Sequence, residues 1–504
     1  MKNKLENHII IIFGASGDLS KRKLIPAIYS LFKQGLLSEK HLVLGVSRTK
    51  YTDETYQNNM QEVLLNEFSD QTESINDFCK LLRYQSIDTS KASEYKIVKD
   101  RLHTLCDEAK IAHNFLFYLS TPPNLYFVIP KYLAENGLNK EINGFKRIII
   151  EKPFGHDLDS AKRLNKHLLE HYNESQLYRI DHYLGKETVQ NLMVFRFANS
   201  IFEPLWNANH IENIQISAAE KIGIEGRGGY YEKSGVIRDM IQNHLLQLLG
   251  IVAMEPPATM DAYSVRNETL KVLQSIRQIS SFEEIKKNIV VGQYSKGEVD
   301  NEKVVSYRSE DNVSPESNTQ TFAALRLYVD NWRWNGIPFY LRTGKRLANR
   351  VSEVVINFKQ TPHPFFSKVQ ESDAYKNQLI IRIQPDEGIK LTFAAKEPGS
   401  GFNTREIDMN FFYSDFEGKK IPPAYERLIL DALMGDSTLF SRDDAVEACW
   451  EIVDPIIKSI DEKPLDFIKF YKSGSWGPDE SDELLEQLGH KWRNPCNFLK
   501  TKKC

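Results

Sequence analysis

The run His8–Phe13, HIIIIF, passes directly into GASGDLSKRKL. An unbroken apolar stretch of this length, stopped by glycine, suits a strand buried on both faces. Gly14 and Gly17 then permit a tight turn with the backbone close to whatever lies in front of it. A helical pattern follows from about Ser20 to Phe32. Strand, glycine turn and helix in this order open a doubly wound sheet, and the helix start aims free N–H groups at an approaching anion. The usual third glycine is replaced by Leu19. The turn alone therefore also suits a plain strand–helix connection.

The next segments repeat the alternation. His41–Val46 (HLVLGV), Phe115–Ser120 (FLFYLS) and Arg147–Ile150 (RIII) read as further strands, and 51–110 as polar and mostly helical. This predicts an α/β Rossmann-like domain with a parallel sheet. After Gly185 the pattern changes. Ile211–Glu220, Glu353–Phe358, Gln378–Gln384 and Ile389–Phe393 carry period-two alternation, with a helical segment over Val236–Val252 among them. They predict an α+β domain with a large, mainly antiparallel sheet covered on one face. The chain is divided accordingly into 1–185 and 186–504.

Lys plus Arg number 65 against 68 Asp plus Glu, a balance that gives no electrostatic case for nucleic acid or membrane surfaces. No apolar run approaches the roughly 20 residues needed to span a bilayer. The five cysteines form no pair with metal-ligand spacing, so no metal is expected and a reducing, cytoplasmic setting is. An anionic ligand would have to be held by local bases.

Three groups of residues offer such bases. The second strand ends in GVSRT, where Arg48 stands in place of the acidic residue that takes a free ribose 2′-hydroxyl. A guanidinium suits a 2′-phosphate, which favours NADP and leaves NAD open. The run RIIIEKPFG delivers Lys152 at the C-terminal end of a buried strand, where ligands of open α/β sheets sit, although a turn lysine at the surface fits equally. In YRIDHYLGKE, His182 and Lys186 are four apart and would share a face if helical, with Tyr183 beside them. Together they could clamp a phosphate. Asp181 accepts hydrogen bonds only, so it suits a histidine better than an anion. Asp239 and His244 are five apart in RDMIQNHLLQLL, about 140° around an ideal helix. His244 is therefore expected to need an acidic partner from elsewhere, with Asp181 a candidate.

GASGDLSKRKL, EKPFG, RIDHYLGKE and RDMIQNHLLQ, in this order, resemble the glucose-6-phosphate dehydrogenase family. RTGKRL, MEPP, PPAYERLILDALMGDSTLFSRDDAVEACW and GSWGPDESDELL extend the likeness over nearly all of 8–494. The resemblance implies oxidation of D-glucose 6-phosphate at C1 to 6-phospho-D-glucono-1,5-lactone with NADP, the first step of the pentose phosphate pathway. It implies assembly into homodimers or homotetramers. It makes His244 the general base, oriented by Asp181. It assigns the phosphate to His182, Tyr183 and Lys186. Lys152 would reach both substrate and nicotinamide ends. Glu220, Asp239 and Lys345 would bond sugar or phosphate oxygens, with Gln384 a further candidate. Gly14, Ala15, Ser16, Gly17, Asp18, Leu19, Ser20, Lys21, Arg48 and Tyr118 would line the dinucleotide site. One departure is Arg350, where the family often carries a second substrate lysine. It keeps the charge but changes the donor geometry.

Overall fold

The computed structural model describes residues 5–363, 377–416 and 422–495. The chain forms two compact units. The first comprises Met1–Gly185 together with Ala258–Arg266 and Pro422–Glu447; the second comprises Lys186–Pro257, Asn267–Ile421 and Ala448–Cys504. Two segments from beyond residue 185 thus belong to the first unit.

The first unit is built on β1 (His8–Phe13), β2 (His41–Ser47), β3 (Leu82–Ser86), β4 (Phe115–Leu119), β5 (Lys146–Ile150) and β6 (Leu177–Ile180). These run parallel in the order β6-β5-β4-β1-β2-β3. Ile9 to Phe13 are buried throughout, as the apolar run requires of a central strand. The order reverses between β1 and β4, the position at which such sheets open a ligand crevice at their carboxyl ends. The strand β3 lies inside the stretch expected to be mostly helical. Its sequence, LRYQS, is half polar because it is an edge strand with alternate residues only partly covered. The helical pattern after the first turn is present, but it begins with a π-helical turn over Ser20–Leu24 before the α-helix Ile25–Lys33.

The second unit contains β7 (Ile211–Ala219), β8 (Ile289–Ser295), the small hairpin β9 (Gly297–Val299) and β10 (Glu302–Val304), β11 (Phe322–Tyr328), β12 (Pro338–Gly344), β13 (Val351–Phe358), β14 (Gln378–Gln384), β15 (Gly388–Lys396) and β16 (Thr404–Phe412). The short β17 (Phe440–Ser441) returns to the first unit and pairs antiparallel with β6. Last comes β18 (Ile468–Lys472), and the second sheet has the order β16-β15-β14-β13-β7-β12-β11-β8-β18. Only β7 with β12 and β8 with β18 run parallel; the other neighbours are antiparallel.

The expectation of one covered face is not met in the central strands. The central strands are buried on both sides: in β7, Ile214 and Ile216 are inaccessible, and so is the intervening Gln215. Gln215 is covered by the segment that follows β18. It donates from Nε2 to the Lys491 carbonyl at 2.9 Å and accepts the Arg493 N–H at 2.9 Å. Arg493 in turn bonds both oxygens of the buried Glu353 at 2.7 Å. The guanidinium of Arg342 lies 4.3 Å from the ring of Trp492. No helix among the described residues is long and apolar enough to cross a membrane. Cys79 and Cys106 are buried free thiols and Cys449 is buried, while Cys496 and Cys504 lie outside the described residues.

Candidate active site

In the first unit the candidate residues gather at the carboxyl ends of the strands. Gly14 has φ +82°, and a Cβ there would lie 2.0 Å from the Ser120 carbonyl oxygen. The turn is held by Gly14 N–H to Val46 O at 2.8 Å and Gly17 N–H to Gly14 O at 2.9 Å. It is a cradle that a side chain would fill, followed at once by a helix start, and so fits a dinucleotide's pyrophosphate. Ala15 and Ser20 are buried, Leu19 and Lys21 half-buried. Gly17 and Asp18 are exposed, Asp18 pairing with Arg22 at 2.7 Å. Ser16 joins the turn to the end of β2, its hydroxyl 2.9 Å from both Ser47 and Thr49 hydroxyls. Tyr84 on β3 completes this network, 2.7 Å from the Ser47 hydroxyl. Tyr84 and Ser47 gave no signal in the sequence, since a hydroxyl network across three strands has no local pattern.

Arg48 is exposed. Asp88, beyond β3, is near enough for the Arg48 charge to act on it. Its carboxyl is held below the ordinary range by hydrogen bonds from Ser90, with the charges of Lys91 and Arg48 adding to the effect.

Tyr118 and Lys152 stand beside a half-buried carboxylate, that of Glu151. The Tyr118 hydroxyl donates to Glu151 at 2.5 Å. Burial pushes the Glu151 carboxyl up, against hydrogen bonds from Tyr118 and Tyr425 and the charge of Lys152. Glu151 sat unremarked inside the EKPFG run. Tyr425 arrives from the segment that returns to this unit and could not be placed by spacing. The Lys152–Pro153 peptide is cis.

His182 to Gly185 form turns rather than a helix, so the premise for His182 and Lys186 sharing a helix face is not met. Asp181 organises this turn. Its Oδ1 accepts the Tyr183 N–H at 2.8 Å and its carbonyl accepts the Leu184 N–H at 3.1 Å. An Asx-type turn competes with helix for the same backbone groups. Asp181 and Tyr183 are buried, and the rings of His182 and Tyr183 lie 5.2 Å apart.

The second unit brings another set together. Glu220 follows β7 and Lys345 follows β12, two parallel neighbours, and the two side chains form an ion pair. The Glu220 N–H bonds Gly344 O at 3.0 Å, and the Lys345 N–H bonds Thr321 O at 2.9 Å. Lys345 is buried, and its ammonium lies 5.8 Å from the ring of Tyr231. The Tyr231 phenol is pushed well up, chiefly by burial and then by the charges of Asp239 and Glu220. Asp239 accepts from the Tyr230 hydroxyl at 3.4 Å. The two tyrosines were not anticipated, although GGYYEK precedes the helix in the sequence.

Residues Ile237–Leu245 are wound as a π-helix, closed by Leu246 N–H to Ile241 O. The 140° separation of Asp239 and His244 assumed 3.6 residues per turn, and i→i+5 bonding widens the turn here. His244 is fully buried.

Lys186, the N-cap of the helix Glu187–Phe197, donates to Gln384 Oε1 at 2.6 Å. Gln384 Nε2 donates to the Ser352 hydroxyl at 3.0 Å. Arg350 is exposed, just ahead of β13.

Family models match both parts of the chain: "Glucose-6-phosphate dehydrogenase, NAD binding domain" over residues 11–191, and "Glucose-6-phosphate dehydrogenase, C-terminal domain" over residues 193–493. The glucose-6-phosphate 1-dehydrogenase of Aggregatibacter actinomycetemcomitans is 51% identical, across 99% of this chain and 100% of that protein. That of Bacillus subtilis is 43% identical, across 98% and 99%. A solved glucose-6-phosphate dehydrogenase in complex with glucose 6-phosphate superimposes with a TM-score of 0.89 at 35% identity, covering 98% of this chain and 100% of that one. A glycine turn at the head of a parallel sheet, a carboxylate–ammonium pair at the ends of two strands and a π-wound helix carrying Asp239 and His244 are thus joined to full-length likeness, and the chain belongs to the glucose-6-phosphate dehydrogenase family of oxidoreductases.

Proposed function

We propose that the chain oxidises D-glucose 6-phosphate at C1 to 6-phospho-D-glucono-1,5-lactone, with NADP as hydride acceptor. The observation that carries the reading is the Glu220–Lys345 ion pair at the ends of two parallel strands, beside Tyr231, on whose phenol the charge of Asp239 also acts. Polar groups of both charge signs around one point suit a polyhydroxyl ligand, which both donates and accepts.

His244 is the general base that takes the C1 hydroxyl proton as hydride departs. A neutral imidazole is matched to this task near neutral pH. Asp181 orients that imidazole and stabilises it once protonated. His182, Tyr183 and Lys186 hold the phosphate, with Arg350 adding positive charge. Phosphate binding far from C1 fixes the reacting carbon and lowers the entropic part of the barrier. Glu220, Asp239, Lys345 and Gln384 bond sugar and phosphate oxygens.

Residues 1–185 bind the dinucleotide. NADP, when bound, supplies the two-electron acceptor. Gly14 to Lys21 hold its pyrophosphate, Arg48 its 2′-phosphate, and Tyr118 and Lys152 border the nicotinamide end. Residues 186–504 bind the sugar and carry the contacts of a homodimer or homotetramer. The enzyme works in the cytoplasm.

The test is initial-rate absorbance of reduced nicotinamide, with glucose 6-phosphate against free glucose and NADP against NAD. Reduction that requires the phosphate and prefers NADP supports the proposal. No reduction with glucose 6-phosphate and either nucleotide, from folded protein, overturns it.

A further inference from the structure

The segment HLLEH, His167 to His171, closes the helix Leu158–Leu169 of the first unit. Glu170 caps the helix and His171 lies in the turn that follows, its N–H donating to the Leu168 carbonyl at 3.1 Å. One ligand atom from each of His167, Glu170 and His171 lies within 4.8 Å of the others. None of these residues belongs to the proposed dehydrogenase site.

The ring of His167 is held in a defined tautomer. Its Nε2 lies 2.6 Å from the Phe127 carbonyl oxygen. A carbonyl only accepts, so Nε2 carries the hydrogen and Nδ1 of the neutral ring presents its lone pair. Nδ1 faces Glu170 Oε2 across 4.0 Å, too far for a hydrogen bond and with acceptors on both sides. The His171 ring stands 5.2 Å from that of His167, nearly perpendicular at 85°.

Histidine fixed through its far nitrogen by a backbone carbonyl is the arrangement that outer-shell partners impose on metal ligands. We propose that His167 Nδ1, Glu170 and His171 form a site for a divalent transition metal, zinc by ligand type, with water completing a tetrahedral shell. Two imidazoles and a carboxylate suit zinc and disfavour magnesium, which prefers oxygen ligands. Bonds of about 2.1 Å put tetrahedral ligand atoms about 3.4 Å apart, so closing a set now within 4.8 Å asks side-chain shifts of about an ångström, and Glu170 is exposed. The negative end of the helix dipole adds to the attraction. The ion would tie the helix end to the Phe127 turn.

The full chain, stripped with a chelator, would be titrated with Zn²⁺ against a chromogenic competitor, and separately with Co²⁺ to read tetrahedral absorption bands. One equivalent in the micromolar range is expected, with Mg²⁺ inert. His171→Ala should weaken binding about tenfold or more, and Glu170→Gln less. His171→Gln provides a second variant should His171→Ala fail to fold, as judged by its melting curve. Zinc should raise the Tm of the wild type and not that of the His171 variants. Absence of binding by the wild type at ~100 µM Zn²⁺, or undiminished binding by folded His167 and His171 variants, overturns the site. Neither result bears on glucose 6-phosphate oxidation.

Discussion

Lys186 donates a 2.6 Å hydrogen bond to Gln384 Oε1, linking the cap of one helix to the last residue of a strand 198 positions later. The amide oxygen neutralises no charge. The direction of the ammonium is set by a side chain itself tied to Ser352, and its charge also acts on the Glu387 carboxyl. Lys186→Ala is expected to raise KM for glucose 6-phosphate by roughly 10–100-fold with kcat within a few-fold, the size of a lost charged hydrogen bond. Gln384→Leu should produce a smaller rise, because the charge stays and only its aim is lost. Steady-state kinetics of both variants checks this, and equal effects in the two would contradict the division of roles.

The π winding gives His244 its own prediction. His244→Asn keeps a polar group in the buried position but cannot take a proton. Turnover should fall by about 10²–10⁴-fold with KM little changed. A parallel loss in KM would mark His244 as a binding residue instead.

Gly14→Ala should be severe. Its φ of +82° is strained for any L side chain, and the added Cβ would meet the Ser120 carbonyl oxygen at 2.0 Å. A loss of about 3 kcal/mol or more is expected, with weakened nucleotide binding, in denaturant titration and calorimetry. Gly17→Ala is the control: there the nearest atom, the Gly14 carbonyl oxygen, is 3.1 Å away. It should cost far less.

Acid sensitivity should localise to His8. Burial pushes its imidazole down to about 4, against a bond to the Glu6 carbonyl that raises it, with the charges of His41 and Arg147 lowering it further. Its Nε2 has no hydrogen-bond partner among the described residues. A base whose folded value is depressed contributes stability that is present above its unfolded value near 6.5. That stability is lost as pH falls through about 4. The loss is on the order of 3 kcal/mol. His8→Gln should flatten the fall in denaturant midpoint between pH 7 and pH 4; an unchanged slope would place the acid sensitivity elsewhere.

The buried strand β1 and its glycine turn were legible because burial on both faces and a positive φ each demand particular residue types. The strand β3 was not, since an edge strand such as LRYQS needs no apolar repeat. Gln215 looked solvent-facing in a period-two pattern because the segment that covers it lies some 276 residues away. The winding of Ile237–Leu245 was not legible for a different reason: a period of 3.6 was assumed where the chain adopts i→i+5 bonding. Glu151 and Tyr425 form part of one hydrogen-bonded group through tertiary folding alone. The domain sheets followed from local pattern, whereas the shells around the candidate residues came from chain segments distant in sequence.

The strand β17 has a consequence for how the protein is made. Phe440 and Ser441 seal the open edge of β6, and the Arg147 guanidinium donates to the carbonyls of Ala432 and Leu433. At ~5–20 residues per second, a ribosome that has finished residue 185 needs tens of seconds more to deliver them. During that interval the nascent parallel sheet carries an unsealed edge and a guanidinium without those two acceptors, so premature termination between the two points would release a protein prone to pair with a second chain or to be captured by chaperones.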